Sequence, residues 1–196
     1  MPAFDQLTLT TERLLLRPFR SSDAEALFRI FSDPEVMRYW SCPPWPSIDE
    51  AHKLIERDST AMPAGEHLRL GIEIAETGEF IGMCSLFSFD EQSKRCILGY
   101  GMSRQHWGRG FMHEALVALL DHGFNVLGFR RIEADIDPRN TGSARSLERL
   151  GFLKEGHLRE RWMVGEEISD SDLYGLLRRE WRRRNLIDNP GSEVPS

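Results

Sequence analysis

The chain has 196 residues, 40% of them hydrophobic and 29% charged, and carries a formal net charge of −6. That is enough chain for one domain with its own core, and the composition is that of an ordinary soluble globular protein. The acidic balance argues against a general nucleic-acid binder, no apolar run approaches the roughly 20 residues of a membrane span, and no signal-peptide pattern opens the chain. Three cysteines, Cys42, Cys84 and Cys96, are odd in number and lack metal-ligand spacing, which fits a reducing cytoplasm.

Taken in order, residues 7–17 read as a first strand through Leu14 and Leu16. Ser22 and Glu25 have capping-box spacing ahead of a helix with Ala26, Leu27, Ile30 and Phe31 on its apolar side, and Asp33-Pro34 ends it. Residues 37–46 carry Tyr39, Trp40 and Trp45 among prolines. Such a loop either walls a substrate pocket or is simply pinned to the core by its tryptophans. Ser47 and Glu50 repeat the capping-box spacing before a helix through Ala51, Leu54 and Ile55. From Leu68 the period becomes two, with Leu68, Leu70, Ile72 and Ile74 alternating against Arg69, Gly71 and Glu73. Turns at 77–78 and 90–93 separate this strand from strands at 80–89 and 94–103, an antiparallel meander.

A helix to about residue 127 follows, with Met112, Ala115, Leu116, Leu119, Leu120 and Phe124 on one face, and Gly128 stops it. Residues 131–137 alternate again, and strand, glycine turn, helix, strand is a crossover that makes its two strands parallel neighbours. A short helix spans 143–150, closed by Gly151, and two strands at 152–161 and 168–177 turn at Gly165-Glu166. From Arg182 the chain is charged and proline-bearing and reads as a frayed tail, 182–196. No repeat or linker marks a second domain.

The chemistry points to Arg104-Gln105-His106-Trp107-Gly108-Arg109-Gly110-Phe111-Met112, at the strand-to-helix turn. Gln105, Gly108 and Gly110 read Q-x-x-G-x-G. A glycine pair there leaves successive backbone N–H groups uncovered, and the positive end of the following helix completes an anion site suited to a pyrophosphate. The same turn is also ordinary turn chemistry, so the motif alone does not decide. It is neither the dinucleotide fingerprint nor a P-loop. Arg104, Arg109, Arg139, Arg145 and Arg149 gather around it and around a second motif, which suits an anionic ligand.

Several segments together resemble the GNAT superfamily of acyl-CoA-dependent N-acetyltransferases, and within it the RimJ/RimL type, which acetylates N-terminal amines of ribosomal proteins. They are Thr11-Glu12-Arg13-Leu14-Leu15-Leu16-Arg17-Pro18, Asp33-Pro34-Glu35-Val36-Met37, and Gly99-Tyr100 followed by Trp107-Gly108-Arg109-Gly110-Phe111. Asn140-Thr141-Gly142-Ser143 with Leu147-Glu148-Arg149-Leu150-Gly151-Phe152, and Tyr174-Gly175-Leu176-Leu177 with Glu180-Trp181, complete the likeness. It covers residues 7–181 in the family's order. It implies an α+β fold: a mixed, mostly antiparallel sheet of about seven strands flanked by helices, with a splayed parallel pair. Acetyl-CoA is the implied co-substrate, with no metal.

The resemblance also implies roles. Pantetheine would enter between the splayed strands and pair with the backbone of Met102 and Ser103. The pyrophosphate would meet Gln105, Gly108, Arg109, Gly110, Phe111 and Met112, and Asn140 would bond the pantetheine arm, or cap the next helix, or both. Trp40 and Tyr100 would face the acceptor. Direct amine attack on a thioester needs no enzyme nucleophile, only an oxyanion donor, a proton acceptor and an acid near the departing thiolate. Many relatives use a tyrosine as that acid where this chain has Leu147; the Rim-type pattern offers Ser143 instead, either as acid or only as a cap. Where many relatives carry a glutamate base, this chain has Ile97. Glu73 is a substitute, or an exposed strand glutamate, or water alone serves. An α-amine, with a pKa near 7.7–8.0, tolerates a missing base better than a lysine near 10.4.

The leading expectation is acetylation of a protein N-terminus. The alternatives are a small amine, such as an aminoglycoside, polyamine or amino acid, or a non-catalytic acyl-CoA sensor. The chain is expected to work as a monomer or homodimer, without nucleic acid, membrane or metal. His106 and His113 read as polar surface or packing residues.

Overall fold

The computed structural model describes the backbone of residues 1–188 and the side chains through Arg183. Its strands are β1 (Leu9–Thr10), β2 (Leu14–Arg17), β3 (Leu68–Ile74), β4 (Phe80–Asp90), β5 (Arg95–Met102), β6 (Arg131–Ile136), β7 (Leu153–Val164) and β8 (Glu167–Leu177). Its helices are α1 (Ala24–Phe31), α2 (Pro34–Met37), α3 (Asp49–Ala61), α4 (Phe111–Asp121), α5 (Thr141–Leu150) and α6 (Arg178–Asp188). The strands form one sheet in the order β1-β2-β3-β4-β5-β6-β8-β7, antiparallel throughout except for β5 against β6.

Among the described residues there are eight strands where about seven are expected, because the first apolar run is two. Thr11 breaks it: its amide donates to the Leu14 carbonyl at 2.9 Å, and its Oγ1 accepts from the Leu14 amide at 3.0 Å. That short turn folds β1 back on β2. In the meander β3–β5, β3 and β5 bury alternate residues, Leu68, Leu70, Ile72, Cys96 and Leu98, while β4 is buried continuously over 81–86. Against this face lies α4, contributing Ala115, Leu116, Leu119 and Leu120, all fully buried. Beyond Asp121 the helix widens into a π turn, His122–Val126, before Gly128 ends it at φ 76°. A smaller core joins Leu27, Ile30 and Phe31 of α1 to Val36, Met37, Ala51 and Met83.

One further expectation shifts. The carboxylate that closes the turn before α1 is Asp23, which accepts from the Arg20 amide at 2.7 Å, not the Ser22–Glu25 pair. In α6, which covers the first residues of the expected tail through Asp188, Trp181 is buried against Phe124 and its indole N–H reaches Asp121 at 3.4 Å. The rest of the expected tail, 189–196, lies outside the described residues.

Asp23 has a second task. Arg17, 5% exposed, donates to both its oxygens at 2.7 and 2.9 Å and to Glu73 at 2.6 and 2.8 Å, tying β2, β3 and the start of α1 together. Removing one partner of a buried ionic group leaves the others unpaired in low dielectric, which costs about 3–5 kcal/mol. Arg17→Met should therefore lower the urea midpoint by an amount equivalent to several kcal/mol, with little change in slope.

Candidate active site

The parallel pair is short. Arg95, Cys96 and Ile97 register with Arg131, Ile132 and Glu133, and there the pairing stops although both strands continue. Pairing of β5 with β4 runs further, through Gly82↔Met102, and the Ser103 amide donates to the Ile81 carbonyl at 2.8 Å. In an antiparallel ladder hydrogen-bonded pairs alternate with non-bonded ones. Ser103 being bonded toward β4, the N–H and C=O of Met102 and Tyr100 point the other way, into the gap that β6 leaves. The Met102 carbonyl accepts the Trp107 indole N–H from that side at 2.8 Å.

The gap opens into a cavity of about 400 Å³. At one end stand Gly108 and Gly110, at φ 73° and 81°, left-handed values that favour glycine. Gly110 is the N-cap of α4 and offers no side chain, so the first-turn amides face outward. A Cβ at Gly108 would meet nothing within 4 Å. The turn is thus an open cradle of backbone donors at a helix N-terminus, which suits a phosphate. It is held from β2's approach: Glu114, in the first turn of α4, accepts from Thr11 Oγ1 at 2.6 Å and from the Arg13 amide and Nε at 2.9 and 2.6 Å. Burial alone would raise the Glu114 carboxyl, yet these bonds outweigh it and hold it below its ordinary value. Arg13 also donates to the Arg109 carbonyl at 3.2 Å and stacks, as Arg109 does, on Phe111.

At the other end, Asn140 caps α5 by accepting the Ser143 amide at 3.0 Å. Ser143 Oγ lies 2.6 Å from the Tyr100 hydroxyl. Burial is the main influence on that phenol and pushes it up to about 12, with the Ser143 hydrogen bond pulling the other way. Trp40 closes the wall, packed edge-on against Phe31 and so near β5 that a Cβ at Gly101 would stand 2.8 Å from its ring. Tyr39 beside it lies under Arg139, whose guanidinium holds Asp137 and Glu167 and so ties the loop to β6 and the last hairpin.

The structure thus gathers Met102, Gly108, Gly110, Phe111, Met112, Asn140, Ser143, Trp40 and Tyr100 around one cavity. Ser103, Gln105 and Arg109 are not on its wall: Ser103 and Gln105 border a separate polar cleft of about 250 Å³ with Arg29 and Arg104. Glu73 is also absent from it, its carboxylate committed to Arg17. His106, expected as surface or packing, is buried and lines the cavity, with Nδ1 unpartnered and Nε2 3.6 Å from Glu79. The Thr11–Arg13–Glu114 clamp escapes a reading of the sequence alone, although an acidic residue in the first turn of a helix after a glycine cradle is the signal for it.

The family description Acetyltransferase (GNAT) domain matches residues 13–153, more than half of the chain. The chain belongs to the GNAT acetyltransferase family. It is 38% identical over 174 residues to the uncharacterized N-acetyltransferase p20 of Bacillus licheniformis, covering 89% of this chain and 98% of that one. To the [ribosomal protein uS5]-alanine N-acetyltransferase of Escherichia coli it is 29% identical over 192 residues, covering 90% and 93%. Among solved structures, spermidine N-acetyltransferase from Vibrio cholerae in complex with CoA and spermine superposes with a TM-score of 0.78 at 22% identity, over 88% of this chain and 99% of that one. The likeness to that structure is one of fold. This GNAT protein is an acetyl-CoA-dependent N-acetyltransferase.

The cradle makes a direct test. A valine at Gly108 would be forced to a positive φ, and its methyl groups would fill the open space. Calorimetric titration with CoA should give a clear heat with the parent protein and none with Gly108→Val, while circular dichroism of the variant stays native.

Proposed function

We propose that this acetyltransferase acetylates the free α-amine of a protein or peptide by direct attack in a ternary complex. The observation that carries the reading is the cavity wall. Among the described residues it includes no aspartate or glutamate, while Arg145 and Arg149 lie on it with no ion-pair partner. A polycationic acceptor such as a polyamine needs carboxylates to offset its charge. An α-amine does not, and with a pKa near 7.7–8.0 an appreciable fraction is already neutral at pH 7 without an enzyme base. The aspartates of the β6–β8 region, and Glu167 with them, are engaged elsewhere: Asp135 with Arg161, Asp137 and Glu167 with Arg139, Asp170 with His157, and Asp172 with Lys154 and His157. The similarity to the ribosomal-protein alanine N-acetyltransferase supports the same acceptor class.

Acetyl-CoA supplies the activated acyl group and a thiol leaving group. The chain's task is to hold it and to manage protons. The outward N–H and C=O of Met102 are placed to pair with the pantetheine arm, the amides of residues 108–112 with the pyrophosphate, and Asn140 with the arm's far end. Trp40 orients the acceptor. Ser143, at the N-terminus of α5 and open to the cavity, protonates the departing thiolate. With a thiol pKa near 8.5 the demand on that acid is small.

Two measurements bear on this. Ser143→Ala should lower kcat by about 10²–10⁴-fold, the usual worth of a positioned acid, with CoA affinity little changed. With Ala- or Ser-initiated peptides below saturation, turnover should rise with pH along the titration of the peptide's own amine. A limb near pH 5–6 would instead mark an enzyme carboxylate or histidine as base. Rapid acetylation of spermidine or kanamycin beside inert peptides would overturn the acceptor assignment.

A further inference from the structure

The Ser143 hydroxyl is not alone. Its oxygen is 2.6 Å from Tyr100 Oη, at the short end for a hydroxyl pair. Tyr100 reaches it from β5, the strand on the opposite side of the gap from α5. The helix position where many relatives carry a tyrosine is Leu147, fully buried and unable to donate a proton. A phenol has therefore entered the site from the strand. Among the described residues, the next acceptor for its hydroxyl is the Ser143 carbonyl at 3.5 Å, so its proton is committed to this pair.

We infer that Tyr100 and Ser143 form a two-hydroxyl proton relay, in which Tyr100 resupplies the proton that Ser143 gives to the departing sulfur. This rests on the reading of Ser143 as the acid. The proton count closes. As the amine nitrogen bonds to the acyl carbon and the C–S bond breaks, the electron pair goes to sulfur. Sulfur takes the Ser143 Oγ proton, and Oγ takes the Tyr100 Oη proton in the same movement. The proton shed by the nitrogen returns through water in the cavity to the phenolate, leaving the protein unchanged. A serine alone would end as an alkoxide, a far stronger base than a thiolate; the phenol removes that mismatch.

The test combines kinetics with a binding measurement. Tyr100→Phe, which keeps the ring, should lower kcat with acetyl-CoA by about 10–10²-fold while KM for acetyl-CoA stays within a few-fold. The double variant Tyr100→Phe/Ser143→Ala should be no slower than Ser143→Ala, because members of one unit do not contribute independently. An acetyl thioester with a more acidic thiol should recover most of the Tyr100→Phe loss. With product CoA and no acceptor, the bound thiolate, followed by its ultraviolet absorbance, should form roughly one pH unit higher in Tyr100→Phe than in the parent. Turnover within twofold of the parent, or losses that multiply in the double variant, would overturn the relay and leave the acetyltransferase activity standing. If the parent acetylates no α-amine, the acceptor proposal fails separately. The thiolate titration then decides the relay, and equal midpoints in parent and variant would end it.

Discussion

Two parallel strands that begin as neighbours at residues 95–97 and 131–133 then splay apart, and each leaves a row of backbone groups without a strand to bond. Inside a domain such a gap is costly, since buried amides and carbonyls need partners. It survives because each strand is secured from its far side: β5 by β4 down to Met102, and β6 by β8 down to Ile136. The sheet thus contains two rigid halves around a slot whose lining is main chain. A long, thin, amide-bearing arm such as pantetheine matches that lining. The cradle, the Asn140 cap and the Tyr100–Ser143 pair all take their positions from the slot's two edges.

Side chains off the cavity wall fix those edges. Arg17, Asp23 and Glu73 join the first strands to α1, and the Thr11–Arg13–Glu114 clamp joins the turn between β1 and β2 to the first turn of α4. The N-terminal segment therefore sets the height of the glycine cradle, although Thr11 and Glu114 are 103 positions apart in sequence. At the far end of the cavity from the cradle, Arg139 does the corresponding work, joining Tyr39 of the aromatic loop to Asp137 and Glu167.

Much of this is legible in the sequence, and the reasons differ by element. The strands β3 and β5 and the helix α4 can be read because alternation and helical spacing report burial on one face directly, and they bury what their patterns predict. The parallel pair follows from the crossover rule. The cradle can be read because glycine spacing reflects a backbone need. The first strand reads as continuous when it is not, since Thr11 acts through a local side-chain bond that periodicity does not register. Glu73 looks like a free strand carboxylate because nothing local reveals that it shares Arg17 with Asp23. Tyr100 meeting Ser143 is a contact between residues 43 positions apart and has no local signature either.

The strand order carries a consequence for how the chain is made. Ile132 and Ile136 pair with Leu176 and Asp172, so the strand that closes β6 comes last in the sheet, after α5 and β7 have been synthesised. Until residues 172–177 leave the ribosome, β6 is an open edge on a nearly finished sheet, the kind of surface that recruits stray strands. The hairpin β7–β8 is joined by a tight turn at Gly165-Glu166, so its two strands are local partners in sequence. The pairing of β8 with β6 buries Tyr174 and Leu176, and the helix that follows buries Trp181.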